Sequence, residues 1–219
     1  MSPVPPECLF GDILEFYVDG IRKHVRHQLK MIKDLGRESA RRKGIYLNLR
    51  DMIPAFRTGH LTRRNAFCYV HQRSCCLTPS KVMQSGTPCV GHSSIGLREE
   101  EDDVSTVAFM AWVSIVNDLE YPIVVHENVE QFPAELLDEL LGCKYHITTA
   151  VLDATSYGYP IRRRRRYTVM VHRRKAHKPT ATLAAFANLF TRQTCMSWHE
   201  LLIATNDQLL DELRGTGDV

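Results

Sequence analysis

The sequence predicts an α/β fold with a mostly parallel sheet, and three observations lead there. Short runs rich in β-branched residues recur along the second half of the chain, in the length range of buried strands. Stretches with apolar residues at helical spacing stand between them. Turn chemistry separates the two kinds of segment. Strand and helix in alternation set strands side by side in parallel, with chemistry in the loops at their carboxyl ends.

The elements follow in order. Residues 1–16 are Pro-rich and then apolar, and include Phe10-Gly11-Asp12-Ile13. Residues 19–80 are polar, rich in Lys, Arg and His, and broken by Gly36, Gly44, Pro54, Gly59 and Pro79. They read as an insertion with one helix around 20–35. Lys81-Val82-Met83-Gln84 is a short strand that runs into the turn Ser85-Gly86-Thr87-Pro88-Cys89. Glu99 to Asp103 form an acidic, solvated loop. From Val104 to Leu119, apolar residues at Val104, Val107, Ala108, Ala111, Ile115 and Leu119 predict an amphipathic helix. Ile123-Val124-Val125 predicts a buried strand. Pro133 to Leu141 predicts a helix, with Pro in its first turn and Gly142 as its stop. Ile147 to Leu152 and Tyr167 to Val171 predict two more strands. Ser197-Trp198-His199-Glu200 is a capping-box pattern that opens a last helix to about Leu213.

Composition narrows the class. The 219 residues suffice for one sizeable core, with 44% hydrophobic and 24% charged residues, as in an ordinary globular protein. The net charge of +3 does not by itself indicate a nucleic-acid partner. Seven cysteines, an odd number, behind an N-terminus unlike a signal peptide predict reduced thiols inside a cell. No apolar run approaches the roughly 20 residues that span a bilayer, so no membrane role is expected.

Three places carry chemistry. Cys89 follows a proline in a turn between strand and helix, where nearby amides can lower a thiol pKa; a lone cysteine in that position can equally be inert packing. Glu127-Asn128 stands just past a buried strand, where a carboxylate is either a loop residue or a functional one. Tyr157-Gly158-Tyr159-Pro160-Ile161 precedes five arginines, Arg162 to Arg166. By itself that run reads as a phosphate-binding patch, a nuclear localisation signal or a solvated face.

Taken together and in order, these segments resemble the cytosine-5 DNA methyltransferase family. Gly86-Thr87-Pro88-Cys89-Val90-Gly91-His92-Ser93-Ser94-Ile95-Gly96 looks like the family's Pro-Cys nucleophile loop. Glu127-Asn128-Val129, with Phe132 after it, looks like its Glu-Asn-Val motif. Leu152 to Tyr167 looks like its Tyr-Gly, Pro-Gln, Arg-x-Arg segment, which also leads into a strand. Gly11-Asp12-Ile13 resembles the short acidic motif beside the adenine of the methyl donor. The likeness covers about residues 82–172.

The resemblance implies a Rossmann-like methyltransferase fold and transfer of a methyl group from S-adenosylmethionine to C5 of a cytosine flipped out of DNA. It implies Cys89, beside Pro88, as the nucleophile that adds to C6. Glu127, beside Asn128, would hold N3 and the amino group, and Arg165, with Arg163 nearby, would hold O2. Asp12 and Ile13 would touch the donor. DNA would be the partner, and a nuclear location would follow in a eukaryotic cell.

The sequence also departs from the family pattern. Val90, His92 and Ile161 stand where the family has Gln, Phe and Gln. The family's opening Phe-x-Gly-x-Gly finds no counterpart, and Gly215-Thr216-Gly217 lies behind the last helix. The expectation is therefore an incomplete domain with an N-terminal donor segment missing. Residues 1–18 would be a remnant of the donor-binding half, 19–80 an insertion, 81–175 the catalytic core and 176–219 a C-terminal helical segment. Two rival readings stay open: a catalytically inactive DNA-binding relative or fragment, and an RNA cytosine-5 methyltransferase. Within the insertion, Cys68, His71, Cys75 and Cys76 have the spacing of two close ligand pairs for zinc. They read equally as ordinary thiols in a loop, and the sequence assigns no metal ligand.

Overall fold

The computed structural model describes residues 7–36, 39–40, 43, 49–59, 61–88 and 105–193. Cys89, the acidic loop at 99–103 and the helix expected from Ser197 lie outside the described residues.

The fold is α/β. A 3-10 turn at Ile13–Phe16 precedes helix α1 (Asp19–Leu35), and helix α2 (Leu49–Arg57) follows. Strands β1 (Asn65–Cys68) and β2 (Arg73–Cys76) form an antiparallel hairpin. Then come β3 (Val82–Gly86), α3 (Ser105–Leu119), β4 (Ile123–Val129), α4 (Ala134–Leu141), β5 (Tyr145–Asp153), β6 (Arg164–His172) and α5 (Leu183–Asn188).

Strands β3 to β6 make one four-stranded sheet in the order β3-β4-β6-β5. It is mixed, not mostly parallel as the alternation predicted. Only β3 and β4 run parallel, joined by the crossover through α3, while β6 is antiparallel to both neighbours. The reason is connection length. Ten residues, 154–163, link β5 to β6; a parallel return needs a crossover of about a dozen residues or more.

Helix α3 departs from its expected amphipathic character. Nearly every side chain from Thr106 to Val116 is buried, polar Ser114 included, because the helix is enclosed between the sheet and the N-terminal segments. On one side β4 packs against it: the indole of Trp112 stacks on the ring of His126 with centroids 4.6 Å apart. On the other side the Tyr17 hydroxyl donates to Val107 O at 2.6 Å and Thr62 donates to Ser114 at 2.8 Å. Met52, Ile53 and Phe56 of α2 join the same core as Trp112, Leu137 and Met170. Burial leaves most of one sheet face covered by α3 and α4. Helix α5 meets the opposite face, where the Leu183 amide donates to the Thr148 hydroxyl at 3.0 Å. No described helix is long and apolar enough to cross a membrane.

Candidate active site

The parallel pairing of β3 and β4 brings two strand ends level, with Gly86 opposite Glu127. Side chains alternate along β4. Val124, His126 and Asn128 are buried toward α3, while Glu127 lies on the other face. On β6, Tyr167 pairs with Glu127 and Arg165 with Val129, so Arg165 and Tyr167 share the face of Glu127. The outcome is an ion pair: Arg165 Nε stands 3.0 Å from Glu127 Oε1. The second carboxylate oxygen lies over Gly86, where an added Cβ would come within 3.3 Å of it. Glycine at 86 therefore leaves room for the carboxylate three residues before Cys89.

Arg163 and Arg165 both line a cleft of about 300 Å³ with Leu152, Asp153, Tyr157, Tyr159 and Tyr167. One carboxylate shapes its rim. Asp153 accepts from the amides of Thr155 and Arg163, each at 3.2 Å, and so ties the two ends of the β5–β6 connection. Burial pushes its pKa up, but these amides and nearby cationic groups outweigh that and hold it below the ordinary value. Gly158 within the connection has φ +91°, a conformation that L side chains rarely adopt.

Arg164 and Arg166 point the other way. Arg164 pairs with the Glu130 carboxylate at 2.8 Å, and Arg166 donates twice to the Glu130 carbonyl, at 2.9 and 2.7 Å. Alternation along the strand thus divides the run between the cleft and Glu130.

At the end of β3, two residues before Cys89 in the chain, lies a polar network that sequence reasoning missed. Asn128 is buried and donates to Thr87 O at 3.3 Å and Thr87 Oγ1 at 3.1 Å. Its own Oδ1 accepts from the Val129 amide at 2.8 Å. Thr87 Oγ1 also stands 2.8 Å from His126 Nε2. Burial pushes the His126 pKa down to about 4, so the ring is neutral at pH 7. One consistent set of donors has Asn128 donating to Thr87 and Thr87 donating to His126 Nε2, with His126 Nδ1 buried and without a partner among the described residues. Asn128 therefore touches Thr87, not the cleft. Pro88, next in the chain, is exposed. A histidine embedded in a β-branched strand reads from sequence as core filling, and Thr87 as mere turn composition. Only the pairing of β3 with β4 unites them.

Asp12 and Ile13, the two residues expected near a methyl donor, stand at the start of the 3-10 turn. Asp12 is exposed and accepts from the Leu14 amide at 2.9 Å, capping the 3-10 turn. Ile13 packs against the core cluster.

With that geometry in hand, comparison with known proteins is informative. The family profile C-5 cytosine-specific DNA methylase matches residues 73–200, more than half the chain. A search of curated proteins gave no match. Among solved structures, the chain is similar to a DNA modification methyltransferase encoded within a prophage (E. coli), at 20% identity and TM-score 0.45, over 60% of this chain and 36% of that one. It is similar to the S. pombe Dnmt2 methyltransferase at 19% identity and TM-score 0.40, over 55% and 38%. It is also similar to the Entamoeba histolytica methyltransferase EhMeth at 18% identity and TM-score 0.34, over 42% and 32%. The chain spans about a third of the length of these proteins.

Proposed function

Because the chain belongs to the C-5 cytosine-specific DNA methylase family, we propose that residues 82–172 carry the half of a cytosine-5 methyltransferase site that receives the target base. The observation that supports this most is the Glu127–Arg165 pair on one sheet face, beside the strand end that leads into Pro88-Cys89. A carboxylate and a guanidinium 3.0 Å apart offer an acceptor and a fork of donors to one planar ligand. The N3, amino and O2 edge of cytosine presents that pattern.

The chemistry begins at Cys89. Its thiolate adds to C6 of a cytosine taken out of the duplex, and the π pair of the C5–C6 bond moves toward C5. Glu127 holds the N3 and amino edge as charge builds there, and Arg165 holds O2. C5 then takes an electrophile and loses its hydrogen, and the thiolate departs as the double bond reforms. S-adenosylmethionine is the co-substrate that supplies a methyl group as that electrophile. DNA is the proposed substrate, which would place the protein in the nucleus of a eukaryotic cell.

A test follows that needs no donor. If Cys89 adds and departs reversibly, C5 exchanges its hydrogen with solvent. Duplex DNA tritiated at cytosine C5 should release tritium to water with the protein present, and Cys89→Ser should abolish the release. Glu127→Gln should slow it by about 10²–10³-fold, as for loss of a charge-stabilising group. DNA binding without release would favour the inert relative, and release from RNA alone would overturn DNA as the substrate.

A further inference from the structure

Far from the Glu127 edge in sequence, Cys68, His71 and Cys75, whose spacing already suggested zinc ligands, converge with Cys8 and not with Cys76. Cys68 at the end of β1, His71 in the β1–β2 turn and Cys75 in β2 meet Cys8 from the N-terminal segment. Their ligand atoms all lie within 4.8 Å of one another. Gln72 takes φ +51° in the turn, and its side-chain amide donates to Tyr69 O at 2.7 Å, which folds the turn tightly and sets Cys68 and His71 on one side.

The distances decide what the cluster is for. The sulfurs of Cys8, Cys68 and Cys75 stand 3.6, 3.5 and 3.5 Å from one and the same atom, Nδ1 of His71. A ring nitrogen carries either one proton or one lone pair, so it cannot hydrogen-bond three thiols at once. A tetrahedral zinc does account for the pattern. With Zn–S of about 2.3 Å and Zn–N of about 2.0–2.1 Å, each sulfur falls about 3.5–3.6 Å from the nitrogen. All three cysteines are free, so no disulfide competes for them.

We propose that Cys8, Cys68, His71 and Cys75 bind one structural Zn²⁺ through three sulfurs and one nitrogen. All four positions are filled by protein, which leaves no open coordination site and makes the role structural, not catalytic. The metal ties Cys8 to a hairpin 63 residues away from it at His71. Around it the Tyr69 amide donates to Leu9 O at 2.7 Å, and Phe10 bridges to Cys68. Zinc thereby fixes the segment that carries Gly11 and Asp12 against the β1–β2 hairpin, where few apolar side chains are buried to do so. Cys76, although adjacent to Cys75, is exposed and outside the group. This assignment does not depend on the reading of the base site.

Elemental analysis of the full chain, purified without chelators, tests it. About one zinc per chain is expected, and Co²⁺ in its place should give the d–d and thiolate charge-transfer bands of a tetrahedral S₃N centre. Cys8→Ser should lose the metal, whereas Cys76→Ser should keep it. If Cys8→Ser fails to fold, Cys8→His should retain metal and shift the cobalt bands toward those of an S₂N₂ centre. Absence of bound metal together with no cobalt spectrum would overturn the proposal. So would metal lost on Cys76→Ser but kept on Cys8→Ser, and a stoichiometric metal other than zinc would overturn the zinc assignment.

Discussion

Arg164 and Arg165 are neighbours with opposite surroundings, and that contrast is testable by single substitutions. Arg165 meets Glu127 at 3.0 Å, while Arg164 meets Glu130 at 2.8 Å with half its side chain exposed. Arg165→Ala should slow C5 hydrogen exchange by about 10²-fold, because it removes a donor aimed at the base and frees the Glu127 carboxylate to move. Arg164→Ala should change it by less than about fivefold, since an exposed ion pair is worth under about 1 kcal/mol. Rates of tritium release from the two variants decide this; equal losses would mean that the run acts as one basic patch. Gly86→Ala should behave like a mild Glu127 mutation, because its methyl would press on Oε2. Alternation along the strand was legible in the sequence, since it needs only the period of two. Two facts were not. Arg164 and Arg166 read from sequence as free for phosphates or solvent, but both are engaged by Glu130, a residue on another strand connection. Cys8 could not be joined to Cys68 and His71 because no local spacing relates residues so far apart.

At the scale of elements, the β3–β4 pair anchors Thr87, two residues before Cys89, through Asn128 and His126. Asn128→Ala would leave Thr87 O and Oγ1 without their buried donor, which costs about 1–3 kcal/mol. Denaturant unfolding should show that loss as a lowered midpoint at unchanged slope, and an unchanged midpoint would show that the network contributes nothing. The elements around this network were mostly readable. Helix α3 begins at Ser105 and ends at Leu119 as its apolar spacing indicated, and α4 ends at Leu141 before Gly142. Those segments are long or well punctuated. The strands came out longer than their β-branched runs: β4 continues to Val129 and β6 begins at Arg164. Charged residues at a strand end hide it from a reading based on composition. The hairpin β1–β2 was missed because its exposed positions, including Arg73 and Ser74, have no alternation to read. Helix α2 was missed because Pro54, inside it, reads as a breaker. The sheet's direction failed for a different reason. Parallel order was inferred from alternation alone, and nothing local in β6 announces that it slips between β4 and β5.

Across the whole molecule, three acid-sensitive groups lie on β4 or close to it, and they should shape its stability curve. His126, beside Thr87, is fully buried, and burial lowers its pKa from 6.5 to about 4. The unfolded chain therefore binds a proton more readily, so the stability due to a neutral His126 is present above about pH 6.5 and lost as pH falls toward 4. The shift corresponds to about 3 kcal/mol. His172 is buried with its pKa also lowered, first by desolvation, so its contribution too is lost as pH falls below about 6.5. Glu120, just before β4, takes hydrogen bonds from Lys144 at 3.0 Å and Lys175 at 3.3 Å, which with their charges outweigh burial and lower its pKa from 4.5 to about 2. A depressed carboxyl works in a lower range: its contribution is present above about pH 4.5 and lost as pH falls toward 2. The cluster is partly open to solvent, so screening holds that share to about 1–2 kcal/mol. Unfolding free energy measured by urea titration at a series of pH values should thus fall in two stretches. His126→Phe should flatten most of the upper one, keeping the ring that stacks on Trp112 while removing the titration. Glu120→Gln should flatten the lower one and leave the His126 share of the upper one intact, while lowering the His172 pKa further by removing the neighbouring negative charge. Should His126→Phe leave the slope between pH 6.5 and 4 unchanged, the neutral, hydrogen-bonded His126 beside Thr87 would have to be given up, and with it the donor order that runs from Asn128 through Thr87.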